Sequence, residues 1–380
     1  MTSMHMTSMH RFAVRTLAAS ALSALAVTTV AAQGIGGLLP TAESDPPTRQ
    51  GSRGANFLHL PVGARANAMA GAAGSSTMGS TAWFINPAGA ATIESFSMAA
   101  GRQNLYGNLG ITQTFAAVSF PLFGGAIGAA VNSLNSGDMN FTTEGSPFGN
   151  PLAGETFQWT STAVSLGFAR RLTDRLDVGA AMKYISEGLP QVNSTWISAD
   201  IGTQFRTGLF GIVLGGSLAQ VGTGAAMDGI MLERGVNTND FARSQTRVKL
   251  FTRTVELPTA FRFAIGDDLL GSAESLFGRG SGDHTVYAEL TLDDAVDLSV
   301  QAGLGAEYAF RNLVFVRAGK RFYNDDRAAP GHDGFMDHGL SGGFGLRLPV
   351  AGRAIRFDYS YTAVGDLRDI QVFSFDFGGR

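Results

Sequence analysis

Ala354-Ile355-Arg356-Phe357-Asp358-Tyr359-Ser360-Tyr361-Thr362 alternates, residue by residue, between apolar and polar side chains. Ile355, Phe357, Tyr359 and Tyr361 share one face, and Arg356, Asp358, Ser360 and Thr362 share the other. The last run of the chain repeats the pattern, with Phe373, Phe375 and Phe377 opposite Val372, Ser374 and Asp376. A period of two is that of a β-strand, so one face of this sheet meets an apolar medium and the other a polar one.

The alternation extends back along the chain. From Glu94 onward about 14 segments of roughly ten residues fit tilted membrane strands. They run over 94–104, 111–121, 124–135, 157–171, 175–187, 194–206 and 211–221, then 255–266, 284–292, 296–309, 312–322, 338–348, 354–363 and 370–378. Short and long connections alternate, as periplasmic turns and outer loops do in membrane barrels. Two connections break the rhythm. Asp267 to Asp283 is long where a short one is due, and Asp293-Asp294-Ala295 is short where a long one is due. A missed or extra strand near 267–297 accounts for both.

Composition agrees with a membrane barrel. The 380 residues carry a net charge of −3, which leaves no basic footprint for nucleic acid. Charged residues make up 16%, below the roughly 25% usual in soluble proteins. Fifty glycines are scattered through strand-like segments, where they permit bending and close backbone approach. Neither a phosphate-binding loop nor a dinucleotide-binding fingerprint occurs.

The N-terminus has the pattern of a signal peptide over residues 1–32. His10, Arg11 and Arg15 precede a small, apolar stretch from Thr16 to Val30, and Val30-Ala31-Ala32 offers a cleavage site. The opening MTSMH is duplicated, so Met6 is an alternative start. The chain has 0 cysteines, hence neither a lipid-anchor cysteine nor disulfides. Residues 33–54 read as a flexible stretch. Residues 55–93, rich in Ala, Gly and Ser with a short helix expected over Ala64–Gly74, are too bland for a domain and suit the mouth of a barrel spanning 94–380.

Facing follows from the cost of charge against lipid, about 2–4 kcal/mol for Arg or Lys at the midplane. Asp200, Arg262, Glu289, Glu307, Arg317, Arg356, Asp358 and Asp376 therefore point into the lumen. Phe357, Tyr359, Phe373, Phe375 and Phe377 point to lipid. Val164, Leu166 and Phe168 face out with Ser161, Ala163 and Ser165 inward, and Phe261, Phe263, Ile265, Leu290 and Leu292 also face out. In the tenth strand Leu298, Val300 and Leu304 face out, leaving Ser299, Gln301 and Glu307 inside. On this basis Arg at position 357 impairs insertion and Ala at position 358 is tolerated.

The segment FLHLPVGARANAMAGAAGSSTMGSTAWFINPAGAATI, Phe57 to Ile93, resembles the PorV/PorQ family of outer-membrane proteins, relatives of the FadL fatty acid transporters. The similarity lies in Phe57-Leu58, Val62-Gly63-Ala64-Arg65, Met69, Gly71-Ala72 and Asn86-Pro87-Ala88-Gly89. Gly305-Ala306-Glu307-Tyr308, Arg317-Ala318-Gly319, Gly342-Gly343-Phe344-Gly345 and Phe357-Asp358-Tyr359 continue it, while Gly378-Gly379-Arg380 extends past the last aromatic. The resemblance implies an all-β fold, a 14-stranded outer-membrane barrel. It also implies a plug carrying Gly63, Ala64, Arg65, Asn86 and Pro87, and a role in transport or type IX-like protein secretion. The alternative it implies is FadL-like passage of hydrophobic small molecules. Partners would be outer-membrane lipid or lipopolysaccharide, with secreted cargo, secretion machinery or hydrophobic compounds, and no nucleic acid.

Catalytic and metal readings fare poorly. No cofactor is called for. His332 and His338 lie near Asp325, Asp326, Asp333 and Asp337 without calcium-loop spacing. Ser341 follows His338 by three places in a strand, which sends the two side chains to opposite faces and argues against a nucleophile–base pair. The long connection from Gly222 to Thr254 mixes Met227, Ile230, Met231, Leu232, Phe241 and Phe251 with Arg234, Arg243, Arg247, Lys249 and Arg253. It suits either a cap on the barrel or contact with lipopolysaccharide or a protein.

Overall fold

In the computed structural model, residues 51–378 are described except 108, 143–144, 148–155, 238–244, 272–273, 279–282, 324–337 and 351. The expected signal peptide and the His332 cluster lie outside the described residues. Fourteen antiparallel strands close into a barrel: β1 Ser97–Leu105, β2 Ile111–Leu122, β3 Gly125–Asn135, β4 Thr160–Thr173, β5 Leu176–Leu189, β6 Val192–Arg206 and β7 Ile212–Gly222 form one half. The other half is β8 Ala260–Leu270, β9 His284–Ala295, β10 Gln301–Phe310, β11 Val314–Tyr323, β12 His338–Val350, β13 Arg353–Val364 and β14 Asp369–Phe377. Each pairs with its sequence neighbour, and β1 pairs with β14 from Met98↔Phe377 to Asn104↔Gln371, which closes the ring. Closure satisfies every strand edge, the condition for sheet in a bilayer. No helix among the described residues is long and apolar enough to cross a membrane.

The expected strands near 267–297 are corrected in extent but not in number. β8 starts at Ala260 and runs to Leu270, β9 continues through Asp293, Asp294 and Ala295, and β10 starts at Gln301. The irregular rhythm is therefore real, with 271–283 a long connection at the short-turn end. Leu298, Ser299 and Val300 sit in the connection before β10 and have no strand facing, whereas Leu304 is exposed and Glu307 points inward as expected. At the same end the tight turns need left-handed backbone, as at Phe123 (φ 55°) and Gly124 (φ 69°), which matches the twist of the flanking strands.

The outer face is apolar. Leu166, Met182, Ile201, Phe344 and Phe357 are all more than half exposed, and Phe344, Tyr359 and Phe373 stack in sequence across β12, β13 and β14, with ring centroids 5.7 and 4.8 Å apart. Phe373 is exposed, while Tyr359 and Phe375 are half-buried by these neighbours. Phe377 departs from a simple lipid-facing role. It is half-buried between Phe96 and the Arg353 guanidinium, at the rim of an internal cavity. The inner face is buried and polar, with Ser161, Ser165, Asp200, Glu289, Arg317, Asp358 and Ser360 all less than 5% exposed.

Among the described residues four wall seams carry a register shift, and the one between β6 and β7 involves a buried charge. Between β6 and β7 the register passes from Ala199↔Val221 to Ile201↔Leu218, so Ala219 and Gln220 face the single residue Asp200. Gln220 takes a left-handed φ of 55°, and its amide N–H, freed from the ladder, donates to Asp200 Oδ1 at 2.9 Å. This is a β-bulge, stabilised by a side chain that also pairs with a lysine.

Candidate functional site: the filled lumen

The segment from Ala55 to Ile93 packs against the inward side chains of the strands. Its helix, Ala64–Ala68, is shorter than the sequence suggests because Ala70 (φ 55°) and Gly71 (φ 85°) turn left-handed. The Gly71 N–H then closes back on the Ala66 carbonyl at 2.8 Å, a helix-ending motif that satisfies an otherwise orphaned acceptor.

Strand glycines seat this segment. The Trp83 indole lies where side chains at Gly128 of β3 and Gly167 of β4 would be, and its Nε1–H donates to Ser119 Oγ at 2.9 Å. Asn86 and Pro87 lie over Gly202 of β6 and Gly179 of β5, and Met69 over Gly305 of β10 and Gly319 of β11. The glycine content of the strands thus has a specific cause, namely backbone-close packing of an internal segment.

Asn86, 1% exposed, is a small junction box. Its Oδ1 accepts from the Ala88 N–H at 3.2 Å, and its Nδ2 donates to the carbonyls of Gly74 (2.8 Å) and Thr203 (3.0 Å). Pro87 starts the following 3-10 turn, where a missing N–H costs nothing. Gly63 (φ 94°) precedes the Ala64 helix and accepts from the Asn67 side chain at 3.0 Å, while the Ala64 N–H meets Ser374 Oγ at 3.3 Å.

Arg65 begins a relay of opposite charges. Its Nε and Nη2 grip Glu307 at 2.9 and 3.3 Å, a bidentate pair, and Nη1 reaches Ser76 Oγ at 2.9 Å. Glu307 also accepts from Arg317 Nε at 2.5 Å, and Arg317 Nη1 donates to Asp358 Oδ1 at 2.6 Å. Asp358 lies 2.8 Å from Arg356 Nε as an ion pair whose N–H is not aligned for a hydrogen bond. Arg356 Nη2 then donates to Asp376 at 3.1 Å. Five of the eight expected lumen residues thus form one network running from the N-terminal segment across β10, β11, β13 and β14.

The other three are separate anchors. Asp200 pairs with Lys183 at 2.5 Å. Arg262 reaches Asp293 at 3.3 Å and the Ile85 carbonyl at 3.1 Å. Glu289 accepts from the Ser75 N–H and the Tyr287 hydroxyl, both at 2.8 Å. Sequence reading missed Lys183 and Asp293, and an amide ladder from Asn67 through Gln103 and Gln113 to Asn132 at 2.7–2.9 Å. Their signal was present, since all three ladder residues in β1, β2 and β3 stand at inward parity.

His59, His284 and Ser341 are engaged elsewhere. His59 Nε2 meets Asp297 at 3.2 Å, and His284 Nδ1 meets the Tyr308 hydroxyl at 2.7 Å. Ser341 donates to the Ala68 carbonyl at 3.0 Å. No cluster of metal-ligating side chains occurs among the described residues. Residues 51–54, the end of the expected flexible stretch, include Arg53 paired with Glu256 and the Gly54 N–H on the Glu256 carbonyl at 3.0 Å.

Two cavities accompany the segment. The larger, about 320 Å³, lies at the short-turn end, bordered by Val62, Ile85, Phe315, Phe377, Arg65 and Arg356 among others. The smaller, about 20 Å³, lies by His59, Pro61 and Arg262.

A closed antiparallel barrel of 14 strands with an apolar exterior and a lumen lined by polar side chains is the architecture of a membrane-spanning β-barrel. No protein-family model and no curated protein matches the sequence. Among solved structures, the Pseudomonas putida toluene transporter TodX superposes with a TM-score of 0.52 at 12% identity, covering 83% of this chain and 96% of that one. The Ralstonia pickettii toluene transporter TbuX gives 0.49 at 13% identity, over 83% and 97%. At such identity the TodX likeness speaks for the fold.

Proposed function

We propose that this chain is an outer-membrane channel passing hydrophobic small molecules, with residues 55–93 as its plug. The observation that carries this reading is the 320 Å³ cavity between that segment and the wall, inside a barrel of the TodX fold. Apolar side chains such as Val62, Ile85, Phe315 and Phe377 border it, and its size falls within the range of small-molecule sites. The plug is held by hydrogen bonds and ion pairs and by separate apolar clusters around Trp83, Phe57 and Val62. Carriage of hydrophobic compounds thereby becomes the first reading, ahead of the secretion role that the PorV/PorQ resemblance implies.

The test is uptake of labelled toluene by cells with an intact lipopolysaccharide leaflet, comparing a deletion strain with the same strain carrying the gene. Restored uptake supports the channel; equal uptake in both removes it. Membrane fractionation of the same cells checks the outer-membrane location.

A secretion-partner role is the second reading, favoured by one feature. The connection after β7 carries a two-stranded ribbon, Glu233–Asn237 with Gln245–Lys249, flanked by exposed Ile230, Met231 and Leu250 and by Phe251 at 95% exposure. Crosslinking from Phe251 in intact cells distinguishes the two, since recovery of secretion components would favour the shuttle.

A further inference from the structure

The larger cavity contains a charge that the relay does not neutralise. Arg347 of β12 points inward between the exposed Leu346 and Leu348, and it borders the cavity. Its register partner on β13 is Arg356, so two guanidinium groups stand directly opposite each other on the same face of the sheet. Like charges in that position repel unless something lies between them.

Arg356 is matched. Arg65, Arg317 and Arg356 face the three carboxylates of Glu307, Asp358 and Asp376 in the unbroken relay. Arg347 is a seventh group, and it has no acidic partner among the described residues. Asp268 acts on Arg65 and Glu307 from the neighbouring wall and does not border the cavity. The cavity therefore holds one net positive charge on its β12–β13 side. Val62, Ile85, Phe315 and Phe377 line other parts of it, and the hydroxyls of Ser76, Ser80 and Ser374 stand nearby.

We infer that this cavity is a binding site for a small amphipathic monoanion, an aromatic or short aliphatic carboxylate, with Arg347 as its principal counter-ion. The carboxylate sits between Arg347 and Arg356 and cancels their repulsion, and the hydrocarbon body lies against the apolar side chains. A volume of about 320 Å³ takes a ring with one such substituent. The site deepens the channel reading, on which it rests for its place in transport. It assigns to the short-turn end of the barrel a preference for acids over the neutral hydrocarbon.

The test uses the purified full-length barrel in detergent, with folding verified by heat-dependent gel mobility, and calorimetric titration with benzoate and with benzyl alcohol. Benzoate is expected to bind the unaltered chain, and Arg347→Gln to weaken it at least tenfold. Arg347→Lys should recover part of the loss, and benzyl alcohol should bind the unaltered chain and Arg347→Gln alike. Equal benzoate binding by the unaltered chain and Arg347→Gln, or no binding by the folded unaltered chain, overturns the site. Toluene uptake separates the two proposals: chain-dependent uptake without benzoate binding removes the anion site alone. Benzoate binding without chain-dependent uptake removes the channel reading alone.

Discussion

Arg317 and Asp358 meet at 2.6 Å although a whole strand lies between them. Arg317 stands on β11 and Asp358 on β13, and the residue of β12 beneath their contact is Gly345, paired in register with Asp358. A methyl group at position 345 would overlap the Asp358 carboxylate. The glycine leaves a gap in the inner surface through which the two charges join, and it makes a relay out of what would otherwise be isolated strand pairs.

Gly345→Ala should therefore separate the pair while leaving the barrel able to form. The expected result is a lower unfolding temperature in detergent with unchanged strand content by circular dichroism. A variant as stable as the unaltered chain would show that the contact contributes nothing.

Asp358→Ala is the harsher case. From alternation alone the change is expected to be tolerated, because residue 358 faces away from lipid. In the structure it removes the carboxylate shared by buried Arg317 and half-buried Arg356, leaving Arg317 only Glu307 and Arg356 only Asp376. Removing one partner of a buried pair costs about 3–5 kcal/mol. Urea titration of the barrel in lipid vesicles measures this, and a loss near zero would mean water or a rearranged Glu307 compensates.

Phe357→Arg tests the other side of the same strand. Phe357 is 51% exposed near the middle of β13. Arginine there should cost about 2–4 kcal/mol and reduce the folded fraction in vesicle refolding. Full refolding would place this face away from lipid.

Lys183 and Asp200 form a buried pair beside the β6–β7 bulge, each side chain 5% exposed. Lys183→Met should destabilise by about 3–5 kcal/mol, and adding Asp200→Leu should recover much of it, because the isolated charge is what costs. Failure of the double variant to recover would assign Asp200 a structural duty beyond the pair, through its bond to the Gln220 N–H.

Gly167→Leu should crowd Trp83 out of its seat. Overpacking of this kind costs about 1–3 kcal/mol. The expected readout is red-shifted tryptophan fluorescence and faster proteolysis within residues 55–93, with the barrel still resistant. Unchanged cleavage would mean that the segment is held without this contact.

The ribbon after β7 carries a pH-sensitive link. Lys249 beside Asp228 holds that carboxyl below its ordinary value, first through a hydrogen bond and then through charge. A group with a depressed folded value stabilises above its unfolded value and loses that contribution as pH falls through the folded one. Proteolysis of the ribbon should therefore accelerate only at pH below the usual aspartate range, and Asp228→Asn should remove the dependence.

The sequence by itself determined the wall. Alternation is local: each residue's parity sets its face, and the solvent on each face selects the residue type, so the 14 strands and the inward charges could be read without contacts. Even there, the ends of β8, β9 and β10 shifted, because Asp293 is charged like a loop residue and only its partner Arg262 explains why it lies in a strand. The charges' partners were not legible, since Arg65–Glu307 joins positions 242 residues apart and Arg317–Asp358 depends on a glycine on a third strand. The tertiary structure alone decided the contents of the lumen: which glycines accept Trp83, Asn86 and Met69, and that Arg347 faces Arg356 with no acid of its own among the described residues. Pairing across a closed sheet is set by register and curvature, which bring together residues that no periodicity in one segment relates.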